Sequence, residues 1–108
     1  MRMVILLAGA IGALTFAGHA QDLPGDPALG RIRAAERCAE CHRIGAGETA
    51  TGRWNAPAFQ ALAADPKVTE FHLRTVLRTP HPTMPMLILE RDELDHVVSY
   101  VLSLKAGR

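Results

Sequence analysis

Two thiols and an imidazole are gathered in the run Cys38-Ala39-Glu40-Cys41-His42, and these are the only two cysteines of the chain. Two thiols three residues apart on a turn of helix can each add to one vinyl group of the same porphyrin, forming two thioethers. The imidazole next to Cys41 then lies over the iron and supplies an axial ligand. A haem held in this way cannot dissociate, which suits a protein working in dilute surroundings. Competing uses of the same residues explain less. A disulfide between Cys38 and Cys41 closes too small a loop to stabilise much. A redox dithiol of the thioredoxin kind needs a βαβ setting that the chain does not supply. Zinc would lack a fourth ligand and the usual second ligand pair.

For the opposite side of the iron there are three candidates, His81, Met84 and Met86, all within Pro80-His81-Pro82-Thr83-Met84-Pro85-Met86. Methionine's usual task is core filling. The prolines exclude helix and central strand, so a stiff extended loop is expected, able to hold a side chain in place at low entropic cost. In an extended segment Met84 and Met86 would share one side, so alternation does not separate them. Met86 adjoins Leu87, Ile88 and Leu89, an apolar run expected to turn into the core and draw it along. Met84 stands between Pro82 and Pro85, farthest from either helix. His72 and His96 fall on predicted helices among charged neighbours and are expected at the surface.

The elements that must position these groups are few. Residues 1–20 read as a leader: a positive start at Arg2, an uncharged apolar run of 14 residues from Val4 to Ala17, then Gly18-His19-Ala20 with small residues before a cut ahead of Gln21. That is the pattern of a secretory signal peptide, and the run is short of the roughly 20 residues needed to span a bilayer. Export to the periplasm is therefore expected, with no membrane span after cleavage. Residues 21–108 make one domain, small enough to need a staple such as a cofactor. Once Arg2 has left with the leader, 11 Lys+Arg face 11 Asp+Glu. A balance near zero argues against nucleic acid as a partner.

Asp26-Pro27 opens a helix with an N-cap and a proline at the first position, running through Arg37 into the cysteine motif. Gly30 is poor in a helix, but Gly30 and Ala34 lie on one face, where small residues permit another helix to approach closely. Ile44 to Ala58, with Gly45, Gly47, Gly52 and Pro57, is expected to be irregular, and Trp54 within it is either core or an N–H donor to a haem propionate. A further helix starts at Asp65-Pro66 or with Thr69 as its cap, and ends before Thr79-Pro80, with Phe71, Leu73, Val76 and Leu77 as candidate buried positions. The last helix is the most periodic: Leu94, Val97, Val98, Val101 and Leu102 share one face, with Glu90, Asp92, Glu93 and Asp95 in its first turns. No alternating pattern or repeat occurs, so the fold class is all-α.

From about Asp26 to Lys105 the chain resembles the class I cytochrome c family, on Cys38-Ala39-Glu40-Cys41-His42 and on Thr83-Met84-Pro85 ahead of a final amphipathic helix. The resemblance implies a small helical domain around one covalent haem c with His/Met axial ligation. It implies Met84 as the sixth ligand opposite His42, and the Pro57 carbonyl as partner of the second nitrogen of His42. It also implies crossing of the first and last helices at Gly30, with Tyr100 as the aromatic packed there. The function so implied is one-electron transfer without turnover of a substrate. Redox proteins would dock at the haem edge near Cys38 and Cys41, where Arg31, Arg33, Arg37 and Arg43 cluster, and the chain would be a monomer or a subunit of a redox complex. Two alternatives stand beside it: a haem protein with an open sixth site acting as a ligand sensor or peroxidase-like enzyme, and a haem c subunit of a larger oxidoreductase.

Overall fold

A computed structural model describes residues 23–105, with Gly12 alone ahead of them. The expected leader and its cleavage point lie outside the described residues. Four helices follow in order: α1 (Pro27–Arg37), α2 (Phe59–Ala64), α3 (Glu70–Arg78) and α4 (Arg91–Ser103), with a single 3-10 turn at Arg53–Asn55. Among the described residues there is no strand beyond one isolated bridge, and no helix is long and apolar enough to cross a membrane. The all-α expectation holds.

Helix α1 begins as its residues dictate. The Asp26 carboxylate accepts from the backbone N–H groups of Ala28 (2.7 Å) and Leu29 (3.4 Å), and Pro27, which has no N–H to satisfy, takes the first position. Helix α4 begins with a capping box between Glu90 and Glu93. Its five predicted aliphatics are all buried, and Ser99 and Tyr100 are buried with them. Only Gly30 and Ala34 of α1 are buried, and they meet α4. A Cβ built on Gly30 would fall on the His96 carbonyl oxygen and lie 2.7 Å from Tyr100 Cβ. The two helices therefore touch through backbone here, and glycine is the residue that lets them.

The segment ahead of α1 is tied to α4 as well. The Asp26 N–H donates to His96 Nδ1 (2.8 Å), and the Ser99 hydroxyl donates to the Pro24 carbonyl (3.3 Å). His96 is thus half-buried and hydrogen-bonded, not the plain surface residue that its charged neighbours suggested.

Helix α3 is capped by Thr69, whose hydroxyl accepts from the His72 N–H (3.1 Å). Asp65 closes α2 instead, and its side chain accepts from Lys67 N (2.9 Å) in a local turn. Leu73 is buried with Val76 and Leu77 partly so, as expected, but Phe71 is 80% exposed. The correction follows from helix phase: position i−2 points some 200° away from Leu73. Arg74 fastens α3 to α4, donating to Glu70 on its own helix (2.8 Å) and to Asp95 on α4 (2.6 Å).

Candidate haem site

Beyond Arg37 the chain does not straighten. The N–H groups of Cys41 (3.1 Å) and His42 (2.9 Å) both donate to the Cys38 carbonyl, so the motif continues α1 as one tight turn. The two sulfurs are not joined in a disulfide, and Cys38, Cys41 and His42 all line one cavity of about 590 Å³. Burial pushes the Cys38 thiol up to about 11, with Cys41 adding to the rise and Arg37 opposing it.

The irregular loop is shaped to pass close over the motif. A Cβ on Gly52 would fall on the Cys41 carbonyl and lie 3.1 Å from His42 Cα, so only glycine fits this crossing. Trp54 and Asn55 then take left-handed backbone angles (φ 53° and 59°). Trp54 is 75% exposed at the cavity rim, with the Arg53 guanidinium 4.8 Å from its ring centroid, and is not core. The loop returns at Pro57, whose carbonyl oxygen lies 2.7 Å from His42 Nδ1. A carbonyl only accepts, so Nδ1 carries the hydrogen and Nε2 is left with a bare lone pair, the form that binds a metal. The carbonyl also raises the basicity of that nitrogen.

Phe59 was not singled out as a site residue, yet it supports the histidine. Its ring lies 5.3 Å from the His42 ring and 6.3 Å from that of Tyr100, and its N–H donates to the Arg43 carbonyl (2.9 Å). The Tyr100 hydroxyl donates to the Ile44 carbonyl. The residues just after the motif are therefore pinned from α2 and from α4. An aromatic two residues after Pro57 was the one signal in the sequence for this contact.

The rest of the cavity lining comes from the 53–62 stretch, α3, α4 and the proline-rich loop. Leu73, Val76 and Leu77 of α3, with Val97 and Val101 of α4, make it apolar. The loop is not extended as expected. Pro82 and Thr83 form a tight turn that brings His81 and Met84 opposite each other in an antiparallel bridge, because proline's fixed φ suits a turn corner as well as an extended chain. Met84 is half-buried and lines the cavity. Met86 is 54% exposed and lies off the cavity wall, and Ile88 is 80% exposed, so the apolar run does not carry Met86 into the core. Leu87 and Leu89 alone turn inward, in strand-like alternation.

The structure thus brings Cys38, Cys41, His42, Pro57 and Met84 together around one apolar cavity and leaves Met86 outside it. The arginines behave less uniformly. Arg33 pairs with Glu36 (2.9 Å) and Glu93 (3.6 Å), and Arg37 donates to the Ile88 carbonyl (3.3 Å), while Arg31 and Arg43 are exposed. Two thiols, a bare imidazole nitrogen and a thioether around an apolar space fit a haem, since each donor is of a type that haem chemistry uses.

No curated protein and no solved structure matches the chain. The family model described as Cytochrome c matches residues 28–105, from the start of α1 to just past α4. A match over most of the chain, meeting a cavity with this donor set, places the protein in the cytochrome c family, as a class I-like member that carries haem c covalently through thioethers.

Proposed function

We propose that this chain is a one-electron carrier of the exported space, with Cys38 and Cys41 as the thioether residues and His42 and Met84 as axial ligands. The observation that carries the reading is the pairing of His42 Nδ1 with the Pro57 carbonyl at 2.7 Å, in a cavity that Met84 also lines. When bound, the haem supplies an iron that gains and loses one electron. The protein's part is to hold two ligands still. His42 is fixed in tautomer and ring orientation by Pro57 and Phe59, so it needs no rearrangement between oxidation states. Met84 on a proline-bracketed turn offers a thioether, a ligand that favours the reduced state. The apolar side chains of α3 and α4 keep water from the cavity, which favours the less charged, reduced form in the same direction.

No substrate is transformed in this reading, so the protein is not an enzyme in its own right. An open-site sensor or a peroxidase-like enzyme would need Met84 held away from the cavity that it lines. Redox partners, whether soluble or within a complex, would dock at the rim, where Cys41, Arg53 and Trp54 reach solvent. Such contacts are small and short-lived, and exposed cations there steer rather than hold. Residues 1–20 would be removed on export, leaving residues 21–108 in the periplasm.

Intact mass in acidified organic solvent tests the covalent part: the porphyrin should stay on the polypeptide. Ferric optical spectra test the axial part: a low-spin spectrum with a sulfur-to-iron charge-transfer band is expected. Release of the haem by acid, or a high-spin ferric spectrum in the native protein, would overturn the respective half.

A further inference from the structure

We infer that His81 is a reserve axial ligand, carried on the same turn as Met84 and able to take the sixth position when the methionine is off the iron. The inference rests on the His42/Met84 reading above. His81 and Met84 face each other as an antiparallel bridge pair across Pro82–Thr83. Directly opposed residues in such a pair carry their side chains on one face. Both are half-buried and both line the cavity.

The histidine is also in the right form. His81 Nδ1 lies 2.9 Å from the Thr79 carbonyl oxygen, which can only accept, so Nδ1 carries the hydrogen and Nε2 keeps its lone pair. The proximal side has the same arrangement, His42 Nδ1 against the Pro57 carbonyl. The cavity is therefore lined by two imidazoles, each with one nitrogen tied to backbone and the other bare. His72 lines the cavity too, but it is fixed on α3, is exposed, and its ring makes no hydrogen bond among the described residues. Pro80 and Pro82 on either side of His81 confine an exchange to this turn, away from the helices. The exchange breaks one coordinate bond to sulfur and forms one to nitrogen, with no net movement of electrons or protons. It converts a His/Met centre into a His/His centre, which is still low-spin but has a lower reduction potential.

The test uses the haem-loaded protein with Met84→Ala, His81→Ala and the double variant. Ferric optical and electron paramagnetic resonance spectra and carbon monoxide uptake by the ferrous form are recorded. His81→Ala should keep the sulfur charge-transfer band. Met84→Ala should lose the band yet remain low-spin, with slow carbon monoxide binding and a lowered potential. The double variant should be high-spin and bind carbon monoxide at once. A high-spin Met84→Ala protein would overturn the inference while leaving Met84 as the normal ligand. A double variant that stays low-spin would overturn it by passing the role to another side chain such as His72. A band that survives Met84→Ala would refute the methionine assignment itself, and this inference with it.

Discussion

Replacing Gly30 by alanine should destabilise the protein, although alanine is the better helix former. At an exposed helical site the exchange would gain about 1 kcal/mol of propensity. At Gly30 the added methyl would lie 2.7 Å from Tyr100 Cβ and fall on the His96 carbonyl, closer than real Cβ contacts come. The obstruction is the α4 backbone, which no rotamer change can move aside, so α1 and α4 must separate at their main contact. Overpacking of this kind costs about 1–3 kcal/mol. With a backbone obstruction the upper part of that range applies, and the net loss after the propensity gain is about 1–2 kcal/mol. For a domain of this size each kcal/mol lowers the melting temperature by about 4–8 °C. Thermal and guanidinium unfolding of haem-loaded wild type, Gly30→Ala and Gly30→Leu would show it, with Ala35→Gly on the exposed face of α1 as the propensity control. Gly30→Leu should be the worst of the three. A neutral or stabilised Gly30→Ala protein would refute the close helix crossing.

Burial above all, with the Glu48 carboxylate, holds the Tyr100 phenol above its ordinary range, against the pull of Arg31. The folded state thus grips this proton more tightly than the unfolded chain does, so the contribution to stability is whole below about pH 10 and is lost as pH rises through the folded value. As the chain has a single tyrosine, tyrosinate absorbance in alkaline titration should rise later in native protein than in urea, and coincident curves would contradict the burial. Arg74→Ala should cost about 1–3 kcal/mol, because it unties α3 from α4 and strands the half-buried Asp95 carboxylate. Arg74→Lys, which cannot reach Glu70 and Asp95 together, should recover only part in denaturant melts. Met86→Ala should leave the sulfur charge-transfer band and the melting temperature nearly unchanged, since Met86 is exposed and off the cavity.

Helices α1 and α4 were legible because each carries its own start signal and, in α4, a full apolar face: Asp26-Pro27 for one, Glu90 and Glu93 for the other. Gly30 was legible because a costly residue in a good helix asks for a reason. Helix α2 was not expected, since six residues make no periodic pattern and its first residue has no side-chain cap. It exists because Phe59 and Ala63 are buried, Phe59 with its ring against that of His42. Phe71 is apolar but lies two positions from buried Leu73, on the opposite side of the helix, so its type alone misleads about its face. The tie from Asp26 to His96 joins residues 70 apart in sequence, which no local pattern announces. Cys38, Cys41 and His42 are legible as one motif from spacing alone. Alternation does not separate Met84 from Met86; their places relative to the cavity follow from the Pro82–Thr83 corner, which sets Met84 across from His81 on the cavity lining.

The most direct test of the axial pair is proton–carbon NMR of the ferrous protein labelled with [methyl-13C]methionine. A methionine held against the haem face has its methyl resonance shifted far upfield by the porphyrin ring current, and Met84 and Met86 are the two methionines among the described residues. One upfield methyl is predicted in wild type and in Met86→Ala, and none in Met84→Ala. An upfield methyl that persists in Met84→Ala and vanishes in Met86→Ala would contradict the account.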